Sequence, residues 1–298
     1  MTTTERTGEH YRRPRRGRRR LLIWLLLLPA LAAGGVFWFR WQCWGLTVTP
    51  TEAKLSGLPG EFDGYTVVQL SDLHGHEYGE GSLMLLERVA QEKPNLIVIT
   101  GDLIDQEGQL QMIPALARSL AAIAPTYYVT GNHEWALGTA RVKDLKNLLA
   151  QCGVTALSNQ YEILERDGAR IVLAGVDDPN GYADQTTPEE LRTQIGSVAP
   201  GLFTVLLAHR NDRFDRYAAA GYDFVMSGHA HGGIVRLPFT DGLVSTDRKW
   251  FPERTSGLYT LGDSTLFVSR GLGNNTVPFH GFRIFNRPEV AVVTLRAS

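Results

Sequence analysis

An α/β fold is the class the sequence predicts, and three observations predict it. Short apolar runs rich in β-branched residues alternate with stretches of helical periodicity. Each of the first three runs ends in a polar, glycine-bearing tip, and no repeat or linker breaks the pattern beyond residue 45. Thr66 to Leu70 reads as a strand and runs into Ser71-Asp72-Leu73-His74-Gly75. Ser82 to Ala90 has helical spacing, with Leu83, Leu86, Val89 and Ala90 on one face, and Pro94 stops it. Leu96 to Ile99 is the second strand and ends in Thr100-Gly101-Asp102. Gln109 to Ile123 is helical, Tyr127 to Thr130 is a strand ending in Gly131-Asn132-His133-Glu134, and Arg141 to Gln151 is helical again. Strand, polar tip and helix repeated three times is βαβ architecture, in which ligands bind at the carboxyl ends of the strands.

The alternation continues through strands at Val154–Leu157, Tyr161–Leu164 and Arg170–Ala174. Thr187-Pro188-Glu189-Glu190 carries a capping box and a first-turn proline, so it opens a helix. Leu202 to Ala208 is an apolar strand with His209 at its end, and Phe224 to Met226 is another, followed by Gly228-His229-Ala230-His231. Beyond Gly233 the strands Leu258–Leu261, Leu266–Val268 and Val290–Leu295 suggest a second sheet packed on the first. Residues 45–64 read as a lead-in with turn signals at Gly57, Pro59, Gly60 and Gly64.

Composition narrows the class. The 298 residues are 43% hydrophobic and 20% charged, an ordinary globular balance. Eight arginines against two glutamates give residues 1–20 a charge of +6, leaving −7 for the rest of a chain whose total is −1. The body has no basic stripe, which argues against a nucleic-acid binder. Leu21 to Phe39 holds no charge, and as a helix it would reach roughly 28 Å, about the thickness of a bilayer core. Trp38, Trp41 and Trp44 suit a membrane interface, and the arginines should stay cytoplasmic. The expected organisation is a basic tail over 1–20, a single-pass anchor over 21–39, and one domain over 45–298 on the extracytoplasmic side. Ala30-Leu31-Ala32 offers the rival reading of a cleaved signal peptide, and Arg18-Arg19-Arg20-Leu21-Leu22 loosely resembles a twin-arginine signal. The uncleaved anchor is favoured. Cys43 and Cys152 have no metal or redox spacing and read as ordinary thiols.

The strand ends collect Asp72, His74, Asp102, Asn132, His133, His209, His229 and His231. Five of the eight histidines fall in this set, leaving His10, His76 and His280 outside. Imidazole, carboxylate and amide donors suit Mn²⁺, Fe or Zn²⁺ better than Ca²⁺, and so many donors suit two ions sharing a carboxylate. Singly, Asp72 and Asp102 could cap helices and Asn132 could serve a turn. The ordered set is far more specific than any member.

Asp72-Leu73-His74, Gly101-Asp102, Gly131-Asn132-His133-Glu134, His209 and Gly228-His229-Ala230-His231 occur in the order of the calcineurin-like metallophosphoesterase superfamily, which the chain resembles over residues 66–231. Gly232 to Pro238, Ser269 to Asn274 and Phe285-Asn286-Arg287-Pro288-Glu289 further resemble its bacterial membrane-associated branch, which includes UDP-diacylglucosamine pyrophosphohydrolase-like enzymes. The resemblance implies a four-layer αββα sandwich of two mixed sheets flanked by helices. It implies that Asp72, His74 and His231 hold a first divalent ion, that Asn132, His209 and His229 hold a second, and that Asp102 bridges them. Mn²⁺ is the first expectation, with Fe or Zn²⁺ as alternatives. A hydroxide between the ions would attack phosphorus, His133 would protonate the leaving oxygen, and Glu134 would orient the His133 ring.

The implied substrate is a phosphodiester or pyrophosphate, in a lipid-linked molecule if the anchor holds the site at a bilayer. A phosphomonoesterase and a non-catalytic binding module of the same fold are the alternatives. Two departures stand out: Arg210-Asn211-Asp212 follows His209 where relatives often carry Pro-Asp, and Phe279-His280-Gly281-Phe282 lengthens the stretch before Asn286. Arg210 and Arg270 read either as phosphate clamps or as solvated cations, and Asp177 and Asp178 either as cleft or as turn residues.

Overall fold

The alternation resolves into two six-stranded sheets. The structure, a computed structural model, describes residues 16–237, 240–244, 249–273 and 283–298. By contacts the chain divides into Met1–Trp41 and Gln42–Ser298. In the first unit the described residues form helix α1 (Arg16–Trp44), which runs on into the second. Its stretch Ile23–Trp44 is long and apolar enough to cross a membrane, by length and composition. The helix passes the expected end of the anchor at residue 39 and continues through Arg40.

The second unit contains β1 (Thr47–Leu55), β2 (Thr66–Leu70), α2 (Leu83–Gln91), β3 (Leu96–Thr100), α3 (Ile113–Ile123), β4 (Thr126–Val129), α4 (Asn132–Ala136), α5 (Thr139–Gln151) and β5 (Val154–Ala156). It continues with β6 (Gln160–Arg166), β7 (Ala169–Gly175), α6 (Pro188–Val198), β8 (Thr204–Arg210), α7 (Phe214–Ala220), β9 (Phe224–Gly228), β10 (Gly257–Leu261), β11 (Ser264–Val268) and β12 (Glu289–Ala297). One sheet has the order β1-β12-β2-β3-β4-β5 and the other β10-β11-β9-β8-β7-β6. Both are mixed: β2 to β5 are parallel with β12 antiparallel to β2, and β7, β8 and β9 are parallel with β6 antiparallel to β7.

Three apolar layers hold these sheets. Val67, Val98, Val129, Leu173, Leu207, Phe224 and Met226 interdigitate between the sheets. Leu85, Val89, Leu116, Leu120, Leu145 and Leu149 pack α2, α3 and α5 on the first sheet. Leu191, Ile195, Phe214 and Tyr217 pack α6 and α7 on the second. The result is the expected four-layer sandwich. A fully buried side chain of this size contributes about 1.5–3 kcal/mol, so most of the stability resides in these layers. The strands buried on both faces read as continuous apolar runs for the same reason. Near the seam of the sheets, the Gln69 side chain donates to Thr100 Oγ1 (2.7 Å) and to the Ser227 carbonyl (2.9 Å). That tie fixes β2, β3 and β9 relative to one another just before their polar tips.

Three expectations are corrected. The lead-in over 45–64 contains β1, an edge strand parallel to β12. The second sheet begins at β6 and not beyond Gly233, and the expected strand Val290–Leu295 lies in the first sheet, between β1 and β2. The segment Phe214–Ala220 is a helix that sequence periodicity did not predict.

Candidate metal centre

The carboxyl ends of β2, β3 and β4 in one sheet and of β8 and β9 in the other meet at one edge of the sandwich. The first three carry Asp72 and His74, Asp102, and Asn132 with His133; the last two carry His209, and His229 with His231. Each strand ends where the chain must turn sharply, and Asp72, His74, Asp102, His229 and His231 all have positive φ, from 49° to 67°. Such backbone costs on the order of 1–3 kcal/mol per residue and persists only where the surroundings impose it. The glycines of the motifs leave room for the polar groups. A Cβ on Gly228 would stand 1.9 Å from Ser71 Oγ and 2.5 Å from Asp72 Oδ2, and one on Gly131 would stand 2.2 Å from Asp102 Oδ1.

Among the described residues the side chains form three donor clusters: two share Asp102, and His74, Asp105 and His133 make the third. Asp72, His74, Asp102 and His231 present ligand atoms within 4.8 Å of one another, and so do Asp102, His209 and His229. In the first, His74 Nε2 faces His231 Nε2 at 3.0 Å, and His231 Nε2 lies 3.4 Å from Asp72 Oδ1. In the second, His209 Nε2 lies 3.2 Å from both Asp102 Oδ2 and Asn132 Oδ1. The His209 Nδ1–H donates to the Thr100 carbonyl at 2.8 Å, and His74 Nδ1 is bonded to Asp105. Those partners engage Nδ1 of both rings and leave each Nε2 turned inward toward the site. Buried imidazole nitrogens, two carboxylates and an amide oxygen converging in this way fit divalent transition metals.

The electrostatics fit as well. Burial pushes Asp72 up, while at Asp102 the opposing effects of His209, His74 and His133 outweigh burial and hold the carboxyl well below its usual range. Burial resists protonation of His209, yet Asp102 and Asp72 raise it to about 10. His229 and His231 are pushed well below the usual imidazole range by burial and by neighbouring cations, so both stay neutral with lone pairs available.

His133 stands apart. Its side chain is 26% exposed, whereas those of His74 and His209 are fully buried, so it is the imidazole that faces incoming solutes. Its Nδ1 lies 2.9 Å from Asp105 Oδ1 and its Nε2 lies 3.9 Å from Asp102 Oδ2. Burial lowers its affinity for a proton, but the Asp105 hydrogen bond and the Asp102 charge raise the ring to about 9. The resemblance implies Glu134 as the group that orients His133; the structure gives that contact to Asp105. The Glu134 carboxylate instead accepts backbone N–H bonds from Gly131 (2.8 Å), Asp102 (3.1 Å) and Leu103 (2.5 Å). It therefore braces the two loops that carry Asp102 and His133. An Asp three residues after Gly101-Asp102 was the sequence signal for Asp105.

Other residues sit near this edge. Arg210 pairs with the buried Asp178 (Nε to Oδ2, 2.7 Å) and places its guanidinium 2.9 Å from His229 Nε2. Asp177 accepts from Thr130 Oγ1 at 2.7 Å and pairs with Lys146. Arg270 pairs with Glu289 at 3.0 Å. Neither arginine is a simply solvated cation. Asn286 donates to the carbonyls of His231 (2.6 Å) and Ile234 (3.1 Å), which holds the His231 turn closed. His280, with residues 274–282, lies outside the described residues.

Comparison with known proteins adds the family. Residues 65–233 match the model of the calcineurin-like phosphoesterase domain. The Bacillus subtilis protein YkuE, an uncharacterized metallophosphoesterase, is 31% identical over 283 residues, which cover 92% of this chain and 94% of that one. The Escherichia coli phosphodiesterase YaeI is 27% identical over 237 residues, 78% of this chain and 82% of that one. A Bos taurus transmembrane protein with a metallophosphoesterase domain is 31% identical over 266 residues, 84% of this chain and 57% of that one.

Proposed function

We propose that this chain, which belongs to the calcineurin-like phosphoesterase family, is a two-metal hydrolase of phosphodiester or pyrophosphate bonds, working at a membrane on a lipid-linked substrate. The observation that carries the reading is the pair of donor clusters sharing Asp102. Asp72, His74 and His231 would hold one divalent cation, Asn132, His209 and His229 the other, and Asp102 both. Two such ions supply an activated water at neutral pH and neutralise the charge of the transferring phosphoryl group.

The chain's own residues do the rest. Asp105 holds the His133 ring with its proton on Nε2, and His133 delivers that proton to the leaving oxygen. Its exposure and its raised proton affinity both suit a general acid. That the E. coli relative is a phosphodiesterase supports a diester over a monoester here. The apolar helix and the transmembrane relative support a membrane segment here. We read residues 21–39 as an uncleaved anchor, and the arginines of residues 1–20 favour a cytoplasmic tail with the 45–298 domain on the extracytoplasmic side.

The test is turnover of bis-p-nitrophenyl phosphate and of p-nitrophenyl phosphate by the full chain, with Mn²⁺, Fe²⁺ or Zn²⁺ and with chelator. Metal-dependent cleavage of the diester is expected. No turnover with any metal would make the fold a binding scaffold, and preference for the monoester would make the protein a phosphomonoesterase.

A further inference from the structure

Four short segments flank the metal centre outside the two sheets. The Leu243 N–H bonds the Val235 carbonyl (2.7 Å), the Arg236 N–H the Ile284 carbonyl (3.0 Å), and the Phe251 N–H the Leu243 carbonyl (2.9 Å). Val244 and Trp250 form a further bridge. The backbone bonds thus set 284–285, 235–237, 242–244 and 250–251 side by side. This small ribbon displays Leu237, Trp250 and Phe251, which are 50%, 71% and 74% exposed, beside the exposed Lys249. Single exposed apolar residues are unremarkable, but a tryptophan, a phenylalanine and a leucine on one ribbon with a cation mark an interaction surface.

The ribbon borders the site. Lys249, Pro252 and Arg254 line a cavity of about 210 Å³ that His229 also lines. Trp250 and Phe251 lie in sequence between two of those residues. His231 precedes the 235–237 segment by four residues, and Asn286, which directly follows the 284–285 segment, donates to the His231 carbonyl.

The ribbon is also joined to the start of the second unit. Arg287 donates to the carbonyls of Gly45 and Leu46, both at 2.9 Å. The Arg283 N–H approaches Cys43 Sγ at 3.4 Å, and Cys43 is buried. Residues 43–46, which lead directly out of α1, are thus gripped by the same segment, 283–287, that supplies one edge of the ribbon. Two residues, Gly45 and Leu46, separate the helix from β1.

We propose that this ribbon docks on the bilayer that α1 enters, with Trp250 and Phe251 in the headgroup layer, so that the metal centre draws its substrate from the membrane surface. Continuity favours a lipid surface: the segment that fixes the chain's exit from an apolar helix forms the edge of the aromatic ribbon. Tryptophan with a flanking lysine is the side-chain chemistry of a membrane interface. The substrate half of the proposal rests on the phosphoesterase reading; the docking half does not.

The experiment places the full chain in phosphatidylcholine vesicles, with a nitroxide on Phe251→Cys and, separately, on Glu165→Cys of β6. Both native cysteines are buried, so the added thiol takes the label. The label at 251 is expected to be shielded from an aqueous nickel chelate and exposed to lipid-borne oxygen, while the label at 165 stays water-accessible. Equal water access at the two positions would overturn the docking, as would shielding at 251 that tracks protein concentration without vesicles. In a second arm, Trp250→Ser/Phe251→Ser is expected to slow cleavage of a diacylglycerol p-nitrophenyl phosphodiester in vesicles about tenfold or more and to leave the rate on soluble bis-p-nitrophenyl phosphate unchanged. An equal fall on both substrates would overturn the substrate half. Failure of the native chain to cleave either would sink the phosphoesterase reading, with the labels still deciding the docking.

Discussion

Asp105→Asn tests the charge relations of the site most directly. The Asp105 side chain is 5% exposed; burial works against its charge, but His133 and His74 hold it ionised at about 2, and it touches both rings at Nδ1. Asparagine keeps the shape and one acceptor but removes the charge. Each contact then falls from a charge-assisted bond of about 1.5–3 kcal/mol to a neutral one of about 0.5–1.5 kcal/mol. A loss of about 1.4 kcal/mol at His133 is about one pH unit, so the ring moves from about 9 toward its ordinary 6.5. If His133 is the acid, the alkaline limb of kcat against pH should move down by about one unit on bis-p-nitrophenyl phosphate. The same change loosens His74, and metal affinity should fall by about tenfold or more. The measurements are the pH profile at saturating Mn²⁺ and metal content by mass spectrometry. An alkaline limb that stays in place with undiminished metal content would refute both the acid and its positioning residue. Glu134→Gln is the contrast: it disturbs backbone N–H partners, so it should lower thermal stability by about 1–3 kcal/mol without moving the limb.

Three further outcomes are expected. His229→Ala and His231→Ala should each lose about half of the bound metal, whereas Asp102→Asn should lose more than either; identical losses in all three would contradict the two-cluster assignment. Gly228→Ala should destabilise the protein by about 1–3 kcal/mol and displace the Asp72 carboxylate, read as a lower melting temperature with reduced metal content; a fully stable, fully loaded variant would disprove the close approach. Above about pH 6.5, where the depressed His229 and His231 are neutral whether folded or unfolded, the chelated protein should lose stability with rising pH. His133 and His209 bind protons more tightly folded (about 9 and about 10) than unfolded (6.5), so their contribution is complete below 6.5 and disappears as the pH rises through those values. Glu134, raised to about 7 by burial and Asp102, acts in the same direction. Bound cations replace the protons, so a melting curve with Mn²⁺ should show a shallower pH dependence, and equal slopes would contradict the assignment.

The parts of the molecule governed by local chemistry were legible in the sequence. Strands buried on both faces read as apolar runs, Thr187 to Glu190 formed the capping box its residues promised, and the five tips met at one edge as parallel strands require. The misses have physical causes. In β1 only Ala53 and Leu55 are buried, and Pro50 is tolerated because the strand is at an edge, so the segment carried neither alternation nor an apolar run. Helix α7 buries little beyond Phe214 and Tyr217, one turn's worth of signal. The placement of β12 between β1 and β2 depends on partners more than 200 residues away, which no local window contains. Asp105 was overlooked because its role is defined by two rings brought to it from other strands.

The position of β12 also bears on when the centre can be made. The first sheet stays split until Glu289 to Ala297 slot between β1 and β2, and the turn at His231 lacks its clasp until Asn286, just before β12, is in place. A growing chain will therefore carry Asp72, His74 and Asp102 well before His231 and its Asn286 clasp are in place. The donor set is completed by long-range contacts, and removal of Glu289–Ala297 should lower metal content while sparing much of the helical scaffold.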